Sequence, residues 1–180
     1  MTMYLRLLLT MWRGQRLPRM DAWDTAVSRF RVRLLDIDIF RHMTNARYLA
    51  FMDLGRTELL MRSGLWQQIR DRDWYPVVAS QMITYRRSLN LWRPFALHTR
   101  LLGVEGQSIY IEQWFEAGGE VVARAVVRGR FLGPDGSIDI ADVVALGGEV
   151  PQSRVVPPWA VEWANAARMS EGRFRGDADR

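Results

Sequence analysis

Four strand-like stretches, at about 77–88, 95–104, 108–116 and 120–132, follow one another behind a single long helical segment at about 45–62, and that order leaves few folds open. The helical segment sets Tyr48, Leu49, Phe51, Met52, Gly55, Leu59 and Met61 at three- and four-residue spacings, a broad apolar side, before Ser63-Gly64 supplies a stop. Gly55 falls on that side, where glycine costs about 1 kcal/mol relative to alanine, so it points to close approach between helix and sheet. Ahead of the helix, residues 28–34 alternate cleanly, with Phe30, Val32 and Leu34 on one face and Arg29, Arg31 and Arg33 on the other, as a half-buried strand does. The separators between the later strands (90–94, Glu105-Gly106-Gln107 and Gly118-Gly119) are short enough for hairpins. Strand, long helix and a run of antiparallel strands predict an α+β domain with one antiparallel sheet wrapped around a long central helix. Such a sheet leaves edges bare, so a homodimer or homotetramer is expected.

The chain divides into an N-terminal amphipathic segment (1–24), the sheet-and-helix domain (25–145) and a C-terminal extension (146–180) with a Pro157-Pro158 start to a short helix at about 159–169 and a charged tail expected to be disordered. Residues 1–12 (MTMYLRLLLTMW) are apolar but broken by Arg6, and the run is far below the roughly 20 residues that span a bilayer. Nor do they resemble a cleaved leader. Two readings stay open for them: packing on the chain's own domain or a partner subunit, or peripheral contact with a membrane surface. A cytoplasmic, or membrane-associated, protein is expected.

There is no cysteine, which excludes disulfides, thiolate metal sites and a cysteine nucleophile. All 25 basic residues are arginine, which excludes a lysine nucleophile. Arginine pairs well with phosphates, although a solvated basic face of biased composition is the simpler account of the count. Helix-turn-helix, zinc-ligand and aromatic RNA-binding signatures are missing, so no nucleic acid is expected. The G-x-S-x-G elbow, Walker A loop, Rossmann glycines and H-E-x-x-H are missing too.

Chemistry concentrates at residues 36–48, DIDIFRHMTNARY, where two aspartates, one of only two histidines and an asparagine immediately precede the helix. Polar groups there would meet the free N–H groups and positive dipole end of the helix, a place suited to a developing oxyanion. Asp36 and Asp38 could equally end a strand and make turns. His42 comes near Asp38 only if the loop curls back. Asn45 would cap the helix or offer a donor to a substrate.

This run resembles the signature of the hotdog-fold acyl thioesterases of the 4-hydroxybenzoyl-CoA thioesterase type, close to D-x-D-x-x-x-H-x-N-N-A-x-Y. The similarity continues through LAFMDLGRTELLMRSGL (49–65), Arg86-Arg87-Ser88-Leu89 and TRLLG (99–103), covers about 28–133, and is strongest to the thioesterase superfamily member six group. The resemblance implies the hotdog fold and hydrolysis of an acyl-CoA or acyl carrier protein thioester without metal or organic cofactor. It assigns Asp38 as general base or nucleophile, with His42 and Asn45 as further catalytic residues and Phe40, Arg41, Thr44 and Tyr48 as substrate-binding. Two departures stand out: Thr44 replaces the first of two asparagines, and Ile39-Phe40-Arg41 replaces small or polar residues. A non-catalytic acyl- or lipid-binding hotdog protein is the alternative. An enoyl-CoA hydratase or dehydratase, which would need His42 or His98 as base, is a further one.

Overall fold

A computed structural model describes residues 2–167; the expected charged tail lies outside them, as do the last residues of the expected C-terminal helix. The elements run α1 (Met3–Arg16), β1 (Ala26–Arg31), a 3-10 turn (Leu34–Asp36), α2 (Asn45–Ser63), α3 (Leu65–Arg70), β2 (Tyr75–Tyr85), β3 (Pro94–Glu105), β4 (Ser108–Ala117), β5 (Glu120–Gly133), β6 (Gly136–Ser137), α4 (Ile140–Leu146) and α5 (Pro158–Ala166). One antiparallel sheet in the order β1-β3-β4-β5-β2 carries α2 across one face, with β6 added to β5. This is the α+β arrangement that the order of strand and helix signals predicts.

The α2 helix lies on the sheet through the expected apolar side. Phe51, Met52, Leu97 and Phe115 are fully buried together, and the Phe51 and Phe95 rings meet edge to face at 5.0 Å. Gly55 is where the helix touches the sheet: a Cβ there would sit 2.6 Å from Thr99 Oγ1 and 2.8 Å from Leu97 Cδ2. Gly55→Ala is therefore expected to destabilise by about 1–3 kcal/mol, overpacking outweighing the gain in helix propensity, and denaturant unfolding will read it. Gln113, wholly buried beneath the helix, donates to Met52 O (3.0 Å) and Thr99 Oγ1 (2.9 Å) and accepts from Arg56 Nη1 (2.7 Å), so each polar atom facing the contact is satisfied. Gly64, at φ +77°, ends α2 in the left-handed region.

The β3–β4 and β4–β5 hairpins turn at the expected separators; Gly118 and Gly119 both have positive φ, as the tight two-residue turn requires. The 90–94 separator is not a hairpin. β2 pairs with β5, and the chain crosses the sheet to begin β3 beside β1. The first strand also ends earlier than its alternation implies. Val32 still exchanges backbone bonds with Arg93 and Trp92, but Leu34 belongs to the 3-10 turn and is exposed, because the chain leaves the sheet there to bury Asp36. Glu58 is buried, accepting from Ser28 Oγ at 2.9 Å and lying 3.7 Å from Arg62 one helical turn on. Helices α3 and α4 had no clear sequence signal. On the opposite face of the sheet, α5 covers Tyr110 and Val126 with Val156, Ala160 and Ala164.

Candidate active site

The motif folds into a tight loop between β1 and α2. An isolated bridge joins Ile37 to Met43, and within it Asp38 N donates to His42 O (3.0 Å) and Arg41 N to Asp38 O (3.0 Å). Arg41 takes a left-handed φ of 63° to close the turn. The loop thus curls back, as proximity of Asp38 and His42 requires.

The two aspartates part company here. Asp36 is fully buried, and its carboxylate receives Arg6 Nη1 at 2.8 Å and Arg6 Nη2 at 2.7 Å, the Arg33 N–H at 2.8 Å, and Arg47 at 3.8 Å. Arg6 comes from α1 and is itself buried, with its guanidinium 4.7 Å from the Phe51 ring centre. A buried pair broken on one side leaves an uncompensated charge, so Asp36→Asn is expected to cost about 3–5 kcal/mol, measurable as a fall in denaturation midpoint. Asp38 is exposed; Oδ1 accepts from the N–H of Phe40 (2.9 Å) and of His42 (3.4 Å), while Oδ2 accepts no bond from any described residue. Its carboxylate is held by one oxygen and open at the other.

Thr44, not Asn45, is the N-cap residue, although its side chain makes no capping bond; Asn45 is the first residue of α2. Thr44 N donates to Asp36 O at 2.9 Å, whereas the N–H groups of Asn45 and Ala46 have no acceptor among the described residues. They stand at the start of a 19-residue helix, where partial positive charge collects. A groove beside them is lined by Met43, Asn45, Tyr48, Tyr85, Arg86 and Arg87, so two of the many arginines adjoin the motif. Tyr48 is buried, its hydroxyl accepting the Leu89 N–H at 3.3 Å and its ring against Phe115 and Tyr85; burial pushes its pKa up. His42 is exposed and bridges to Asn90 through the backbone. Phe40 and Arg41 are exposed and border neither this groove nor the apolar cavity described next.

That cavity, about 210 Å³, opens between α2, α3, α4 and the β2 end of the sheet. Its walls are chiefly apolar, among them Leu60, Trp66, Ile69, Ile111, Val127 and Phe131. Asp53 and Arg56, paired with one another on α2, are polar residues at its lining. Burial pushes the Arg56 guanidinium below its ordinary value, with Asp53 acting in the opposite sense. Arg56 is not singled out by the motif at 36–48. The signal available was its spacing from Asp53, Thr57 and Leu60 on one helical stripe, displaced from the core stripe of Phe51, Met52, Gly55 and Leu59. None of Asp38, His42 and Asn45 lines this cavity.

Residues 32–164 match the Thioesterase-like superfamily. The chain belongs to that superfamily. Among thioesterase-like relatives, Protein THEM6 of Drosophila melanogaster is 31% identical over 143 residues, 79% of this chain and 73% of that protein. Protein THEM6 of Xenopus laevis is 40% identical over 53% of this chain, a match spanning 46% of its own length. The long-chain acyl-CoA thioesterase FadM of Escherichia coli is 30% identical over 56% of this chain and 77% of that protein. The hotdog fold is shared with solved structures. The YbaW probable thioesterase from Escherichia coli superimposes with a TM-score of 0.63 (23% identity, 68% of this chain, 98% of that one). A 4-hydroxybenzoyl-CoA thioesterase mutant complexed with its CoA ester gives 0.62 (16% identity, 69% and 99%). Thioester hydrolysis is the reaction class that membership brings.

For a thioesterase-like domain the remaining candidates sort by sheet face. Leu97 and Thr99 lie toward Gly55 of α2, so His98 between them lies on the opposite face, stacked on Trp114 at 4.6 Å and 3.4 Å from Glu116. Burial lowers its pKa against the pull of Glu116. It is remote from the motif loop by sheet side, which removes it as a partner for Asp38. Of the other arginines, Arg100 and Arg124 clamp buried Glu112 on that outer face, and Arg128 donates to Ala164 O at 3.2 Å to hold α5. Among the described residues no group of three or more His, Asp or Glu side chains is placed to hold a metal.

Proposed function

We propose that the chain hydrolyses acyl-CoA, or acyl carrier protein, thioesters with Asp38 as the group that activates or supplies the attacking oxygen. The observation that carries this reading is the carboxylate of Asp38, fixed through Oδ1 by the Phe40 and His42 N–H groups with Oδ2 free. As Asp38 accepts a proton from water, the water oxygen bonds to the thioester carbon; the C–S bond then breaks and the thiolate leaves, taking up a proton. If Asp38 attacks directly, its carboxylate oxygen bonds to the thioester carbon, the C–S bond breaks and the thiolate leaves and takes up a proton; water then cleaves the resulting anhydride to the free acid and the Asp38 carboxylate. In either case negative charge grows on the carbonyl oxygen, and the unpaired N–H groups of Asn45 and Ala46 at the α2 N-terminus are suited to receive it.

The acyl group needs a longer apolar wall than Met43, Tyr48 and Tyr85 give the motif groove. A two-fold dimer through β2 supplies it. β2 is an edge strand of 11 residues without one charged side chain, while the other edge, β1, is six residues long and carries Arg29 and Arg31. Natural sheets guard edges with charge and brevity, so the unguarded edge is the one built for pairing. A two-fold axis at that edge makes the pairing antiparallel and brings the Tyr85 end of one strand to the Tyr75 end of the other. The motif groove borders Tyr85, and the apolar cavity borders Pro76, Val77 and Val78. Each motif would then face the cavity of the other copy. FadM, named for long-chain acyl-CoA, makes aliphatic chains the first substrates to try.

The test is thiol release by purified protein from short, medium, long and aromatic acyl-CoA esters. Release from at least one series is expected; binding of every ester without release would leave an acyl-binding protein instead. Loss of enoyl absorbance with no thiol would point to hydration.

A further inference from the structure

Helix α1 is amphipathic in an inverted sense. The side it lays on the domain is Arg6, Thr10 and Gly14, with Met3 and Leu7 beside them. The opposite side carries Tyr4 (82% exposed), Leu5, Leu8 (64%), Leu9 and Trp12 (51%) to solvent. Gly14 lets the helix approach α2, where a Cβ would come 2.8 Å from the Met61 Cβ, and Arg6 locks it to Asp36. The helix is thus fixed by its polar side, and its apolar side is left outward by construction. Beside it the turn reached by the Arg6–Asp36 pair exposes Leu34 and Leu35. Isolated exposed leucines are ordinary, but this many on one helical face mark a binding surface.

Charge says what covers it. No acidic residue occurs before Asp21, while Arg13 and Arg16 are exposed in the last turn, with the Arg16 guanidinium 4.1 Å from the Trp12 ring centre. Aromatic residues at both ends of a leucine face, with arginines and no carboxylate, match the chemistry of an anionic bilayer surface: rings at headgroup depth, guanidiniums on phosphates, leucines in the acyl boundary. Two such helices packed together would instead bring like charges close. No described helix is long and apolar enough to cross a membrane, so the contact is one of lying on the surface.

We propose that the outward face of α1 docks this protein on anionic lipid bilayers. The docking is independent of the hydrolytic reading, since no lipid-facing residue belongs to the motif and Asp36, which anchors the helix through Arg6, is not the residue proposed to act on the thioester. The full chain is mixed with vesicles of phosphatidylcholine alone or phosphatidylcholine with phosphatidylglycerol, then sedimented. Wild type is expected to bind the anionic vesicles, less so as salt is raised. Leu8→Glu with Trp12→Glu should lower partitioning at least about tenfold, and Arg13→Gln with Arg16→Gln should lower binding to the anionic vesicles specifically. Circular dichroism and light scattering on the same samples distinguish the alternatives. Failure of folded wild type to bind either vesicle overturns the proposal. So does a Leu8→Glu/Trp12→Glu chain whose oligomeric mass falls while vesicle binding is unchanged, which would make the face a contact between copies.

Discussion

Asp38→Asn is expected to lower kcat for thioester hydrolysis at least about 100-fold, about 2.7 kcal/mol of barrier, with little change in KM or in unfolding midpoint. The reason is that the substitution separates the turn this side chain makes from the proton transfer or attack proposed for it. An amide oxygen in place of Oδ1 still accepts the N–H of Phe40 at 2.9 Å and of His42, so the turn that shapes the loop persists. What an amide cannot do is take a proton from water or attack as a carboxylate. A residue whose only work is to make the turn would leave kcat unchanged in the same variant. Asp36→Asn gives the opposite pattern, a large loss of stability from the unpaired Arg6 charge and loss of activity only through loss of fold. Steady-state thiol release together with denaturant unfolding on both variants tells the catalytic aspartate from the structural one. Wild-type kcat in a folded Asp38→Asn protein would end the assignment of Asp38.

Much of this arrangement is readable from one sequence, and what is not has a physical cause. Local signals place α2, with Gly55 at its sheet contact and Gly64 at its stop, and the paired glycines place the β4–β5 turn, because helix period and turn geometry are local properties. The partner of β2 is not local: a separator of a few residues fits a hairpin or a crossover, and only competition among strands for β3 decides it. Which of Asp36 and Asp38 is buried in an ion pair is likewise hidden, since the discriminating residue, Arg6, lies 30 positions away on a helix whose composition argues for burying its leucines. That helix buries its arginine and exposes its leucines instead. Asp38, His42 and Asn45 do fall on one loop and helix start, as the motif implies, while the apolar cavity of the same chain lies elsewhere along α2, a separation no spacing in the sequence could reveal.

Ala79→Lys with Gln81→Lys is expected to leave a folded monomer whose thiol release is lower by at least about 100-fold, the scale that loss of positioning produces. Both residues are exposed on β2, flanking its midpoint Ser80, so the single chain should bear the change within about 0.5 kcal/mol. Across a two-fold axis near Ser80, position 79 of one strand falls opposite position 81 of the other, and four ammonium groups would crowd the joint. Light scattering reads the mass and circular dichroism the fold; a folded monomer with full activity would place the whole site within one chain. Complementation presses the point further. Asp38→Asn has a dead motif and a sound cavity, and Thr57→Trp, which fills the cavity at its α2 wall, has the reverse. If each motif works against the other copy's cavity, a mixed dimer contains one site with both halves intact. Random assortment after co-expression then restores about one quarter of wild-type activity from two inactive chains. Sites confined to single chains would restore none, because every chain in the mixture carries a defect of its own.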